Sequence, residues 1–194
     1  MKKYVKNIKA VYEQSTGKEY LDGVRWYREA KAKGQEIADR NKVPLHIAVG
    51  VIAALSPTNK WERNIIDADS LIHHFMIGGY MEDVNVSTYN TMKLKAWTIL
   101  NTMGDYEETA IILNGPKITD FYRCIMGENV CVIDGHAWCI ANNDRRILQE
   151  VPNIGKKLRV AMQEAYKEAG ASDGLTAYEM QAITWLTWKR IYNI

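Results

Sequence analysis

Apolar residues recur at helical spacing along most of this chain. Residues 20–40 carry Ala, Glu and Lys in helical order, with Trp26, Ala30 and Ile37 on one face, and predict a long amphipathic helix. The turn Asn41-Lys-Val-Pro44 then sets a proline at a helix start. Residues 46–55 are apolar on every side, the pattern of a helix buried at the centre of a fold. Ser56-Pro-Thr-Asn59 breaks that run, and an amphipathic helix follows over 61–75, closed by Gly78-Gly79. Residues 91–103 predict another helix, with Leu94, Trp97, Ile99 and Leu100 inward. A short helix over 105–113 and one over 116–126 flank a Gly-Pro turn. Residues 130–133 are short, apolar and extended, the only run that argues for a strand. Helical patterns return over 135–142, 155–169 and 176–192. The expected fold class is all-α, with about ten helices.

Composition narrows the class. Hydrophobic residues at 47% and charged residues at 25% describe a folded globular chain and exclude a disordered one. A length of 194 residues suits one domain, or two small lobes sharing a cleft, and the chain is read as a single domain over 1–194. A net charge of +2 neither demands nor excludes nucleic acid. Cys124, Cys131 and Cys139 are too few and odd in number for a disulfide framework. Cys131, His136 and Cys139 lack a fourth ligand and a paired Cys-x-x-Cys, so no metal and no cofactor is expected. The N-terminus lacks the apolar stretch of a signal peptide, and the run 47–55 is too short to span a bilayer. The expectation is a cytoplasmic monomer with no membrane partner.

The chemistry concentrates in two runs. The first is Leu113-Asn-Gly-Pro-Lys-Ile-Thr-Asp-Phe-Tyr122; the second is Val130-Cys-Val-Ile-Asp-Gly-His-Ala-Trp138. A Gly-Pro-Lys turn that opens a helix aims backbone N–H groups and a positive dipole end at an anion. It also carries an amine, Lys117. The second run sets an acid, Asp134, at the end of an extended segment. A phosphate-gripping turn, an amine nucleophile and a carboxylate are what chemistry at the sugar–base bond of DNA needs.

These runs resemble the helix-hairpin-helix DNA glycosylases, the superfamily of endonuclease III and 8-oxoguanine glycosylase. That family's pattern is Leu-x-Gly-x-Gly-x-Lys-x-Ala, then Val-Asp-x-His. Gly115 matches its second glycine, Lys117 the Schiff-base lysine of the bifunctional members, Asp134 the catalytic aspartate, and His136 the histidine beyond it. The segment Ser56-Pro-Thr-Asn59, after the buried helix, looks like the loop whose polar side chain fills the gap left by a flipped base. Lys93-Leu-Lys-Ala-Trp-Thr-Ile-Leu100 sits where the family has a Lys-Ala-x-x-Ile helix. The likeness covers roughly residues 40–192, with the hairpin at about 106–127. Two departures stand out: Leu113 replaces the first glycine, and Ile118-Thr119 displaces the alanine after the lysine.

The resemblance implies a two-lobed helical fold with a cleft between the lobes. It implies an enzyme on double-stranded DNA that flips a base out of the stack and excises it, with lyase activity through Lys117. Asp134 would stabilise positive charge on the sugar; as a residue before Gly-His-Ala-Trp it is equally a good helix N-cap. Lys117 would attack C1′; the plain alternatives are a solvated lysine or a phosphate contact, and the dipole's disfavour of a cation in a first turn argues for a functional reason. DNA contacts would come from Gly115, Pro116, His136, Thr58 and Asn59, the last two being equally suited to cap the helix at 61–75. Trp61, Trp138, Trp185 and Trp188 suit a core better than a base-stacking wall. Lys156, Lys157, Arg159, Lys189 and Arg190 would face phosphate or simply solvent. Compact relatives occur in bacteriophages, where such a protein would act in host cytoplasm, and some phage members of the superfamily are held to transfer amino acids onto modified thymine instead of excising bases. That transferase reading stays open, as does a DNA-binding module without catalysis.

Overall fold

The computed structural model describes all of residues 1–194 and contains ten α-helices, two one-turn 3-10 helices and no β-strand. The all-α expectation is met. The Cα positions group into two compact units, Met1–Glu29 with Gly127–Ile194, and Ala30–Met126.

The first unit contains α1 (Lys2–Tyr12), the start of α2 (Gly17–Asn41), α8 (Gly135–Asn142), α9 (Lys156–Ala171) and α10 (Ala177–Tyr192). Helix α1 packs on α8, α9 and α10, and α9 packs on α10. Their shared core holds Ile8, Val11, Trp138, Ile140, Met162, Tyr166, Met180 and Ile183. Each fully buried aliphatic side chain of this kind contributes roughly 1.5–3 kcal/mol of transfer free energy. Gly23 brings α2 close against α10, since a Cβ there would meet Ile183 atoms at 2.5 Å. Helix α10 opens with a capping box: Thr176 accepts from the Glu179 N–H, and the Glu179 carboxylate accepts from the Thr176 N–H.

The second unit contains the remainder of α2 with α3 (Leu45–Ala54), α4 (Trp61–Met76), α5 (Asn90–Thr102), α6 (Tyr106–Leu113) and α7 (Pro116–Met126). Helix α3 is the hub, packed against α4, α5, α6 and α7. Every residue from Ile47 to Ala54 is buried, so the expectation of a central helix holds. Gly50 makes that packing dense, because a Cβ there would lie 2.5 Å from Thr109 Cγ2 on α6. Pro44 stands at the N-cap of α3 with φ −60°, where its missing N–H costs nothing.

Three expectations need correction, and one helix was not foreseen. The run 130–133 is extended but pairs with no strand. Helix α1 was not anticipated, because its four lysines mask the spacing of Tyr4, Ile8 and Val11 that meets the core. On α5, Ile99 and Leu100 are inward as expected, but Leu94 is 55% exposed and Lys93 is buried in its stead. On α2, Tyr27 is the buried aromatic, and Trp26 is half-buried with an edge against it.

Candidate functional site

In the second unit, α6 and α7 form a tight helical hairpin. Asn114 ends α6 with φ 44° and ψ 26°, the left-handed conformation that asparagine tolerates better than most residues. Leu113, standing where the resemblance has a glycine, is the last residue of α6 and fully buried. Lys95 of α5 donates its ammonium to the Leu113 carbonyl, satisfying one of the free acceptors at the end of α6. Helix α7 follows at once with Pro116 first, and the Gly115 carbonyl accepts from the Thr119 N–H at 2.8 Å.

The hairpin is braced along its length. Tyr106 and Tyr122 stack with centroids 5.0 Å apart, the Tyr122 hydroxyl donates to the Tyr106 carbonyl at 3.2 Å, and Arg123 pairs with Glu107 at 3.2 Å. Asp105 and Glu108 form a capping box at the start of α6. The N–H groups of Lys117 and Ile118 fall in the first turn of α7, where no helical carbonyl precedes them. Pro116 and Lys117 are exposed, Gly115 is half-buried, and Ile118 anchors the turn inward at 7% exposure.

Asp134 lies in the first unit. Its carboxylate caps α8, accepting from the Ala137 N–H at 2.9 Å. The extended run before it is held by side chains of α9 instead of a neighbouring strand. Gln163 donates to the Cys131 carbonyl at 2.9 Å, and Arg159 donates to the Ile133 carbonyl at 3.3 Å and to Ile154 at 3.4 Å. Pinned on one side by α9 and on the other by its own cap, Asp134 is half-buried and fixed in direction. His136 is half-buried in the first turn of α8. Two neutral groups border the acid. Burial pushes the Tyr166 phenol well up, with Cys131 and Asp134 adding to it and a hydrogen bond with Thr184 opposing. Burial likewise raises the Cys139 thiol, with a backbone hydrogen bond at Arg146 opposing and Asp144 and Asp134 adding.

The other sequence candidates divide. Thr58 is exposed at φ 59°, a conformation β-branched residues rarely take. Asn59 is turned inward, donating to the Leu55 carbonyl at 3.3 Å and to Asp67 at 3.0 Å. Neither caps α4, whose N-cap is Lys60 with no side-chain hydrogen bond. Trp138 and Trp188 are core residues, while Trp61 and Trp185 are half-buried. Of the basic residues read as a phosphate face, Arg159 is engaged on carbonyls and Arg190 on Glu19 and the Gln14 carbonyl; Lys156 and Lys157 are exposed. All three cysteines are free and buried. No group of three or more His, Cys, Asp or Glu side chains is disposed to hold a metal ion. No helix is long and apolar enough to cross a membrane.

Residues 1–191 match the model of a family of unknown function, DUF7178. The chain belongs to that family. The DUF7178 match takes in both compact units, ending in the last turn of α10. No curated protein and no solved structure matches the chain. The description of DUF7178 names no activity, so any chemistry has to be argued from residues.

Three residues escaped the sequence reading: Asp67, Arg159 as a brace, and Gln163. Only Asp67 left a signal, an acid at the i+4 position from Arg63 on the apolar side of a helix. Nothing in the sequence marks which carbonyl a glutamine or arginine will find.

Proposed function

We propose that this protein is a DNA glycosylase with lyase activity, built on the two-lobed helix-hairpin-helix glycosylase fold and acting on a base flipped from double-stranded DNA. The observation that carries the reading is the braced hairpin of α6 and α7, which sets a half-buried Gly115 beside exposed Pro116 and Lys117 at a helix start. Backbone N–H groups there would grip one phosphate through the dipole end of α7.

In the proposed reaction the bond from C1′ to the base nitrogen breaks, and its electron pair leaves with the base, which takes up a proton. Asp134 would stabilise the positive charge that develops on the sugar. The Lys117 amine forms the new bond to C1′ and sheds a proton. Ring opening gives an imine, and loss of a C2′ proton then expels the 3′ phosphate. His136 would contact the strand beside Asp134, and Thr58 would enter the duplex.

The deciding experiment traps the imine. Wild-type chain on a duplex with an abasic site, treated with borohydride, should give a stable protein–DNA adduct, and Lys117→Ala should give none. Absence of both adduct and strand cleavage would end the lyase reading. The exposure of Lys117 favours a second reading in that case, with the ammonium as a phosphate contact and water as the nucleophile. Incubation with duplexes carrying a panel of lesions and modified pyrimidines, read by mass, would separate excision from transfer onto a modified thymine and from binding alone.

A further inference from the structure

Asp67, on α4, is 1% exposed and is the most buried carboxylate in the second unit. A charge so placed is costly unless it is fully paired. It accepts from three donors on three segments: Arg63 Nε of its own helix at 2.7 Å, Asn59 Nδ2 of the loop after α3 at 3.0 Å, and the Ser87 N–H of the loop before α5 at 2.7 Å. One carboxylate thus ties two loops to one helix. The tie is doubled where Thr88 donates its hydroxyl to the Pro57 carbonyl at 2.6 Å. Asn59 gives its amide hydrogens to Asp67 and to the Leu55 carbonyl, while its own Oδ1 is buried and accepts nothing. The side chain serves as a strut, at the expense of an acceptor.

Between these anchored residues stands Thr58. It is the exposed side chain of the Pro57–Asn59 stretch, held at φ 59°. A β-branched residue keeps that conformation only where its neighbours impose it, and here Pro57 and Asn59 are both tied down beside it. We propose that Asp67 is a positioning residue for this loop, and that Thr58, not Asn59, is the side chain the loop presents to unstacked DNA. The inference rests on the DNA reading above and assigns its loop a contact and a support. Asp67 acts through Asn59 and Ser87 and never touches the nucleic acid.

The test uses the full chain and two duplexes, one intact and one carrying a tetrahydrofuran abasic analogue, with affinity measured on each. A side chain that fills a gap in the stack should give wild type about a tenfold preference for the abasic duplex. Asp67→Asn should erase that preference while affinity for the intact duplex stays within about twofold, a pattern that general loosening of the fold would not produce. Thr58→Gly should erase it too, and its melting temperature should rise, since glycine takes φ 59° freely; that variant keeps the proposal testable should Asp67→Asn unfold. A preference retained by Thr58→Gly, or by a folded Asp67→Asn, overturns the assignment alone. A wild-type chain that binds neither duplex removes the DNA reading and this inference with it.

Discussion

Asp134 can be made to report separately on folding and on chemistry. Its Oδ1 accepts from the Ala137 N–H at 2.9 Å at the start of α8. Removing the side chain in Asp134→Ala deletes that cap, at about 1 kcal/mol, and the favourable meeting of an anion with the helix dipole, at about 0.5 kcal/mol. For a chain of this size the sum lowers the melting temperature by about 3–6 °C. Asparagine caps as well as aspartate, so Asp134→Asn should lose only the dipole part and melt within about 2 °C of wild type. Catalysis should respond in a different order. Loss of a preorganised charge facing the developing sugar cation should slow base release by about 10²–10³-fold in both variants. The assay pairs calorimetric melting with single-turnover base release by mass, once the lesion panel has supplied a substrate. If Asp134→Asn melts with Asp134→Ala, the hydrogen bond to Ala137 is not what the side chain contributes. If Asp134→Asn turns over at the wild-type rate, the carboxylate is a cap and nothing more.

Three further outcomes are expected. Glu19 is held below its ordinary carboxylate range: burial opposes this, but hydrogen bonds from Arg190 and the Thr16 N–H outweigh it. A depressed folded pKa means the stabilisation is present above the unfolded value and lost as pH falls through the folded one. Glu19→Gln should therefore cost about 1 kcal/mol in neutral denaturant titrations and close to nothing in acid below the carboxylate range. Met103 ends α5 in the left-handed conformation at φ 45°, so Met103→Gly should raise the melting temperature by about 1–2 °C once glycine's entropy cost is deducted; an unchanged or lower value would refute the strain argument. Affinity for an intact duplex should fall steeply with salt, and an anion soaked into crystals should settle at Gly115–Lys117; flat salt dependence would point to a substrate other than nucleic acid.

Much of the helical pattern was legible, and the reasons are local. Pro116 and Met126 bound α7, and Gly135 and Asn142 bound α8, where the sequence placed them, since proline and aspartate act on the backbone beside them. The uniform apolarity of α3 announced its central place. What could not be read depended on partners distant in sequence. Leu94 and Lys93 exchange their expected sides because the tilt of α5 on α3 decides which stripe is covered, and period alone does not fix that angle. The extended run 130–133 looked like a strand because a strand and a side-chain-braced segment share the same apolar pattern; Gln163 and Arg159 take the carbonyls a neighbouring strand would have taken. At the candidate site the residue types were visible, but not that Asn59 folds inward onto Asp67 while Thr58 is left standing out.

The left-handed cap of α6 carries a chemical liability. Asn114 is exposed and is followed by Gly115, which carries no side chain of its own to hinder attack by its backbone nitrogen. When that nitrogen attacks the Asn114 amide carbon, ammonia leaves and a succinimide forms, which water opens to aspartate or isoaspartate. The folded turn keeps Asn114 at φ 44° and ψ 26°, braced by the Lys95 ammonium on the Leu113 carbonyl, so the attack waits for moments when the hairpin opens. Ageing of the protein would then add a negative charge, and in part an extra backbone carbon, at the turn proposed to hold a phosphate. The rate at which an acidic form accumulates on isoelectric focusing becomes a measure of how often the hairpin opens, and a ligand that orders the turn would slow it.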